Sequence, residues 1–589
     1  MTRRHHLAAA LAAGLTLLAA CTGGSTAAVS SAGGRSATSV SGASGAPASS
    51  GPASSPSSSS SPSASPTTSP TTSPPAAPPA GGGNPGAVPG VPTDEQRVAD
   101  AIAGVDALAQ DVFDRSGLPG MAVAVVHGGE TVFAQGYGVR RVGSPETVDA
   151  DTVFQMASLS KPVGATVVAK EVGDGTVTWD TPVADHLPGF TLSDPTVTAQ
   201  VTIADMYSHR SGLPNHAGDD LEDLGYDQQQ ILDRLRYLPL NPFRAVYNYT
   251  NYGLTAAGVA VADAAGTDWS TLSQRDVYGP LGMDDTSSDY ATFAAAPNHA
   301  AGHVKVDGQY AAAWLRDPDG QSPAGGLSST VNDFATWMTM VLAGGKTADG
   351  TQLIDGAALR AALTPTMRAA DGSPVPQTID ARTGFYGHGF GVSSDASGRV
   401  RLSHSGAFGA GAGTSFLLIP NLDLGIVVLT NAAAEGSAEA IVNEFADAAE
   451  LGAPQQDWYT LFHDALAGVT APQGELVGQT PPADPAPAAA NSTYVGTYQS
   501  DYFGPATVSE VDGGLVLTAG PRGDTFPLTH WDGSTFTLEP VGDRKADTPA
   551  GENVADGSIS QVTFTPAGDT AGSVTVEAWD KEGLGTFTR

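Results

Sequence analysis

The stretch "MASLSKP" places Ser158 three residues ahead of Lys161. Lysines stand at 161, 170, 305, 346, 545 and 581, and only Lys161 has a serine three positions earlier. Serine is so frequent in this chain that S-x-x-K by itself is a weak signal. The chemistry it would support is definite: on a helix, residues i and i+3 share a face, so the Lys161 amine could touch the Ser158 hydroxyl and serve as its proton acceptor. Pro162 fits only if the helix has just begun, because first-turn N–H groups have no intrahelical partner. Ser158 would then sit at a positive helix N-terminus, where a developing oxyanion is favoured. Further along, "YNYTNYG" contains Tyr249 and Asn251, and "LSHSGAFG" contains His404, Ser405 and Gly406 on a strand-like run. Singly, Tyr249 and Asn251 read as loop residues and His404 as a structural histidine.

In combination and in this order, S-x-x-K, Y-x-N and H-x-G resemble the serine hydrolases related to class C β-lactamases, D,D-peptidases and their esterase relatives, whose third motif is K-T-G or H-x-G. The stretches "LPGMAVAVVHGGETVFAQGYGV", "DMYSHRSGLP" and "AGGLSSTVNDFATWM" extend the resemblance over residues 93 to 450. It implies that Ser158 is acylated and that Lys161 and Tyr249 share the proton traffic. Asn251 would donate to a substrate amide or orient Lys161, and the backbone N–H groups of Ser158 and Ala407 would form the oxyanion hole. His404 would be part of the catalytic set, with Ser405 and Gly406 binding substrate. A tyrosine with an ordinary pKa near ~10 acts as a base at neutral pH only beside positive charge, which Lys161 can supply. The resemblance requires neither a metal nor an organic cofactor.

Its relatives cleave β-lactams, D-amino-acid peptides and simple esters with the same residues, so substrate class stays open. Histidine at 404, where many relatives carry lysine, removes a fixed cation and leans the site toward neutral esters or amides, unless Arg401 or Arg382 supplies the charge. A β-lactamase, a D-alanyl-D-alanine carboxypeptidase and a catalytically silent penicillin-binding-like protein are the alternatives. Retention of Ser158, Lys161, Tyr249 and Asn251 together favours an enzyme. A triad of Asp205, His209 and Ser158 is a further arrangement, although Asp205 and His209 fall in a stretch the family uses structurally. The sequence contains no G-x-S-x-G elbow and no H-E-x-x-H, and its single cysteine excludes clustered thiolate metal sites.

The elements that would hold these residues are legible in outline. Residues 93–466 read as the hydrolase domain: "TDEQ" offers a capping box of Thr93 with Gln96, followed by Val98, Ile102, Val105, Leu108 and Val112 at helical spacing. "MAVAVVH" and "ETVFAQGYG" form a hairpin across Gly128-Gly129. "VRLSHSG", "TSFLLIPN" and "LGIVVLTN" return to strand pattern, and "SAEAIVNEFADAAEL" closes with a helix. The expected fold is α+β: one antiparallel sheet built from distant parts of the chain, with flanking helices and an inserted helical region. A Pro- and Ala-rich linker at 467–490 leads to 491–589, where strand-like runs and turns alternate as in a small all-β barrel or sandwich. That segment resembles the lipocalin-like barrel appended to some of these hydrolases, which implies a part in homo-oligomer assembly or in covering the active-site mouth.

At the other end, Arg3 and Arg4 precede an apolar run to Ala20 that is short for a membrane span and suits a secretory signal. It ends in Leu-Ala-Ala-Cys, a lipobox-like sequence, so residues 1–21 are expected to be a lipoprotein signal with Cys21 the lipidated residue. Residues 22–92, rich in Ser, Pro, Ala, Gly and Thr, read as a disordered tether. The expected location is extracytoplasmic, with membrane attachment through the lipid alone. A net charge of -34 without basic runs argues against a nucleic-acid partner and leaves a small-molecule or peptide substrate. A cell-wall adhesin would account for the tether and barrel but leaves the three motifs unexplained.

Overall fold

The computed structural model describes residues 90–589 except 307, 313–315, 370–381, 395–396, 469–470 and 541–556. The expected signal, Cys21 and nearly all of the tether lie outside the described residues. The first described element is helix α1 (Glu95–Ser116), whose buried Val98, Ala101, Val105, Ala109 and Val112 recur at helical spacing. Its cap differs from the Thr93 expectation. Asp94 accepts from the Arg97 N–H at 2.9 Å, while the Thr93 hydroxyl is drawn off to the Ala449 carbonyl and Gln96 bonds Asp100. An aspartate one residue closer, with extended backbone, fits the N-cap position.

Strands β1 (Gly120–His127) and β2 (Glu130–Gly138) pair as the expected hairpin, turning through Gly128 and Gly129, both at positive φ. Helices α2 (Ser160–Asp174), α3 (Asp219–Asp223), α4 (Asn251–Ala264) and α5 (Val331–Leu342) belong to the helical middle. The chain then adds β3 (Met367–Arg368), β4 (Phe385–Tyr386), β5 (Gly391–Ser394), β6 (Val400–Phe408), β7 (Ala412–Ile419) and β8 (Leu424–Thr430), and helix α6 (Ser437–Leu451). Among the described residues these strands form one eight-stranded sheet in the order β2-β1-β8-β7-β6-β5-β4-β3, with antiparallel neighbours.

Both faces of its centre are covered. Along β1, Ala122, Ala124 and Val126 enter the core shared with the helical middle. Met121, Val123 and Val125 enter a second core shared with α1 and α6. A strand buried on both sides shows a continuous apolar run instead of alternation, as "MAVAVV" does. The same alternation along β6 decides which side chains can face the nucleophile.

The C-terminal part is a closed barrel. Strands β9 (Gly496–Ser500), β10 (Gly504–Val511), β11 (Gly514–Ala519), β12 (Asp524–Asp532), β13 (Thr535–Leu538), β14 (Ser560–Ala567), β15 (Thr570–Val576) and β16 (Thr586–Thr588) pair in sequence order, and β9 meets β16 to close the ring. Inward residues such as Tyr498, Leu517, Phe526, Phe564, Val574 and Phe587 are buried and pack the interior. The segment expected as a linker is fastened to this barrel: Gln473 exchanges bonds with Ser558 and Ile559, and Ala486 bonds both Asp532 and Gly533.

Candidate active site

A short 3₁₀ turn, Ala157–Leu159, leads directly into α2, so Ser158 precedes the helix and Lys161 lies in its first turn. Pro162 follows where a missing N–H is harmless. Ala157 has φ 48°, a left-handed backbone unusual for a residue with a side chain, and the turn is held by its neighbours. Ser160 accepts from the Leu327 N–H at 2.9 Å and donates to the Ala157 carbonyl at 2.6 Å, which commits its hydroxyl to structure. The Thr414 hydroxyl of β7 donates to the Met156 carbonyl at 2.9 Å.

Four of the predicted residues meet at one point. Lys161 Nζ donates to Ser158 Oγ at 3.0 Å, to Asn251 Oδ1 at 2.8 Å and to the Ala324 carbonyl at 2.9 Å. Three acceptors match the three protons of an ammonium, the arrangement a fully buried lysine needs in order to stay charged. The Tyr249 hydroxyl lies 2.8 Å from Ser158 Oγ, and Lys161 Nζ stands 4.6 Å from the centre of the Tyr249 ring. A positive charge at that distance lowers the cost of a phenolate. Ser158 Oγ is thus within hydrogen-bond reach of the Tyr249 oxygen, which as a phenolate can take its proton, and of the Lys161 ammonium, which favours that phenolate.

β6 passes beside the nucleophile. A Cβ placed on Gly406 would lie 2.8 Å from Ser158 N and 2.6 Å from the Met156 carbonyl, so only glycine fits there. Ala407 follows it, opposite Gly413 in the register. Alternation then corrects the sequence assignment of Ser405. With Gly406 facing Ser158, the Ser405 side chain takes the opposite face, 3.3 Å from Ser415 Oγ and beside Glu439 of α6. Its hydroxyl cannot bind substrate at Ser158. Burial pushes the Glu439 carboxyl up to about 7.

His404 is on the nucleophile's side, but its ring is already occupied. Nδ1 lies 2.7 Å from the Ser405 carbonyl, which can only accept, so Nδ1 carries the proton and Nε2 accepts from the Tyr386 hydroxyl at 2.8 Å. Both ring nitrogens are taken up by these two contacts. The catalytic role expected of His404 is therefore replaced by a positioning role for the aromatic wall beside Tyr249, 6.4 Å between ring centres. Burial, then the charge of Lys161, depresses its pKa to about 3, which leaves the imidazole neutral. Tyr386, two strands away on β4, is a site residue that sequence reasoning missed. It is brought in by sheet register and has no local motif.

The Asp205, His209 and Ser158 triad is not formed. Asp205 is bound by Arg210 at 2.7 Å and by Arg244 at 2.7 and 3.0 Å, and accepts from the Thr202 N–H. Burial raises its pKa, but the Arg244 bond with the other partners outweighs it and holds the carboxyl below its usual value. His209 accepts from the Thr250 N–H through Nδ1 at 3.2 Å and packs against Tyr249 and Tyr386. Burial and the nearby Lys161 keep its pKa well below the usual range. Arg401 supplies no charge to the site either, being engaged with Glu450 and Asp447 of α6.

A second missed residue is Asp219, the first residue of α3. Its Oδ2 accepts from Asn251 Nδ2 at 2.9 Å and from His216 Nδ1 at 2.9 Å. Because a carboxylate only accepts, the contact fixes which end of the Asn251 amide is which. The nitrogen faces Asp219 and the oxygen faces Lys161.

The family model described as beta-lactamase matches residues 105–450, and one described as a domain of unknown function (DUF3471) matches residues 480–584. The chain is 30% identical over 321 residues to penicillin-binding protein 4 of Amycolatopsis lactamdurans, covering 53% of this chain and 81% of that protein. It is 27% identical over 416 residues to an unguisins hydrolase of Aspergillus violaceofuscus, covering 66% of this chain and 73% of that one. Among solved structures, the octameric penicillin-binding protein homologue from Pyrococcus abyssi matches with a TM-score of 0.52 at 17% identity. That match covers 81% of this chain and 98% of the other and shows a shared fold.

Proposed function

The chain belongs to the beta-lactamase family of serine hydrolases, and on that premise we propose that it hydrolyses neutral esters or amides through an acyl-enzyme on Ser158. The observation that carries this reading is the convergence of Lys161 Nζ and the Tyr249 hydroxyl on Ser158 Oγ, at 3.0 and 2.8 Å. With Tyr249 as phenolate beside the Lys161 ammonium, Ser158 Oγ attacks the acyl carbon and its proton passes to the Tyr249 oxygen. The carbonyl π bond opens to an oxyanion that the N–H groups of Ser158 and Ala407 would receive. As the tetrahedral species collapses, the bond to the leaving group breaks and that group takes the proton from Tyr249. Water then repeats the sequence on the acyl-enzyme, releasing the acid and restoring Ser158.

Substrate class is argued from charge. Lys161 has three acceptors already, Arg401 is committed to α6, and His404 is neutral. The fixed cation that a lysine at 404 would present to a carboxylate-bearing substrate is therefore missing at that position. Secretion and lipid attachment at Cys21, with work outside the cell membrane at the end of the Ser/Pro-rich tether, are part of the same proposal. Their support is the Arg-Arg, apolar and Leu-Ala-Ala-Cys order of the first residues. Self-association through the barrel is a further element, prompted by the octameric assembly named for the Pyrococcus abyssi homologue.

The test is kcat/KM for a neutral short-chain nitrophenyl ester, a D-alanyl peptide and a cephalosporin, in the wild type and in His404→Lys. The ester is expected to be preferred by at least about tenfold, with the lysine variant moving the ratio toward the carboxylate substrates. A wild type that prefers the cephalosporin overturns the charge argument.

A further inference from the structure

Helix α3 has five residues, "DDLED", and nearly every one is held by a different part of the molecule. Asp219 binds Asn251 and His216. Asp220 Oδ1 accepts from the Tyr502 hydroxyl of the barrel at 2.8 Å. Leu221 is fully buried in the core. Glu222 accepts from Arg316 at 2.8 Å and from Gln321. The Asp223 carbonyl accepts from Arg522 of the barrel.

One turn of helix cannot hold itself in place, because nucleation fixes several dihedrals for a single hydrogen bond. Its N-cap, Gly218, contributes no side chain either. The position of α3 is therefore set by tertiary contacts, and the outward ones come from the barrel. Beyond Tyr502 and Arg522, the Tyr226 hydroxyl donates to the Phe503 carbonyl at 2.5 Å. A Cβ at Gly520 would come within 2.3 Å of the Leu224 carbonyl, so the two backbones are in direct contact. Leu221, Leu224 and Tyr226 share one buried apolar cluster with Tyr502, Phe503 and Trp579. Burial pushes the Asp220 carboxyl up to about 6, and the two barrel groups that restrain it are Tyr502, by its bond, and Lys581, by its charge.

The contacts run without a gap from barrel to nucleophile: Tyr502 to Asp220, Asp219 to Asn251, Asn251 to Lys161, Lys161 to Ser158. We propose that the barrel positions Asn251 for the Ser158 reaction of its own chain, by way of α3, with Tyr502 and Asp219 as positioning residues. The inference rests on Ser158 being the nucleophile. If α3 drifts, Asp219 releases the Asn251 amide, which can turn its nitrogen toward Lys161. Two donors then face each other and the ammonium loses one of its three acceptors. The charged form of Lys161 is disfavoured, and with it the phenolate of Tyr249.

The experiment uses the full-length protein and measures two quantities: the rate of Ser158 labelling by a fluorophosphonate, and the pH profile of kcat/KM on a neutral ester. Tyr502→Phe, which removes one hydroxyl far from the reacting atoms, is expected to slow labelling about tenfold and to narrow the pH profile from both sides. Arg522→Ala, at an exposed position, should act in the same direction more weakly and decides the matter if Tyr502→Phe does not fold. Asp219→Ala should lose more than Asp219→Asn, whose side-chain oxygen can still accept from Asn251. Barrel variants that label at the wild-type rate with an unaltered profile overturn the coupling. A wild type that does not label at Ser158 overturns the nucleophile reading instead, so the two failures are distinct.

Discussion

Ser158, Lys161, Tyr249 and Asn251 could be singled out in the sequence because two closely spaced pairs, one at a helix start and one at the entry to α4, stand in the motif order of the family the chain resembles. Tyr386 and Asp219 could not be found that way. One reaches His404 across the β4, β5 and β6 register, and the other sits in a single turn of helix without pattern. Ser405 was misplaced for a reason the sequence contained, since adjacent residues of a strand point to opposite faces and Gly406 had to face Ser158. In the proposed reaction the Tyr249 oxygen takes the Ser158 proton and passes it to the leaving group. Tyr249→Phe should therefore lower kcat/KM on a neutral ester by about 10² to 10⁴ and leave the folded structure intact by circular dichroism. A loss of less than threefold would assign the proton transfer to Lys161 alone.

Element positions were legible wherever burial imposes a period. The apolar stripe of α1, the continuous runs of β1 and β8 and the long β6 all follow from it. The two-residue strands β3 and β4 carry no period at all and were not foreseen. Close packing of β6 on the nucleophile turn gives a sharp expectation. Gly406→Ala places a methyl 2.5 Å from Thr414 Oγ1 and 2.8 Å from Ser158 N, so it must displace the turn or the strand. Fluorophosphonate labelling should fall by at least about 100-fold, while melting temperature changes by only a few degrees. Labelling at the wild-type rate would mean that β6 does not line the site. On the other face of the same strand, Glu439 has a carboxyl raised from 4.5 to about 7 by burial. The folded state then keeps a proton that the unfolded state has released, so this group's stabilisation is complete below about pH 4.5 and is lost as pH rises to about 7. Glu439→Gln should remove a decline on the order of 3 kcal/mol over that window in urea melts at fixed pH. An equally steep decline in the variant would contradict the assignment.

The hydrolase body and the barrel were expected as two units joined by a linker, since a Pro- and Ala-rich stretch and a change of periodicity separate them in sequence. In the structure the barrel residues Tyr502, Phe503 and Trp579 share a buried apolar cluster with Leu221, Leu224 and Tyr226 of the body, a contact between residues almost 300 positions apart that no local pattern could announce. Calorimetry of the full-length chain should accordingly show one cooperative transition. Two well-separated transitions would mean that the interface contributes little. All of these contacts bear on chemistry only if Ser158 becomes acylated. The most direct measurement is intact mass followed by peptide mapping of the full-length protein after reaction with a fluorophosphonate. The account predicts one adduct, on Ser158, absent from Ser158→Ala and slowed in Tyr249→Phe. An adduct on Ser160, whose hydroxyl is engaged with Ala157 and Leu327, or unchanged ester turnover in Ser158→Ala, would contradict it.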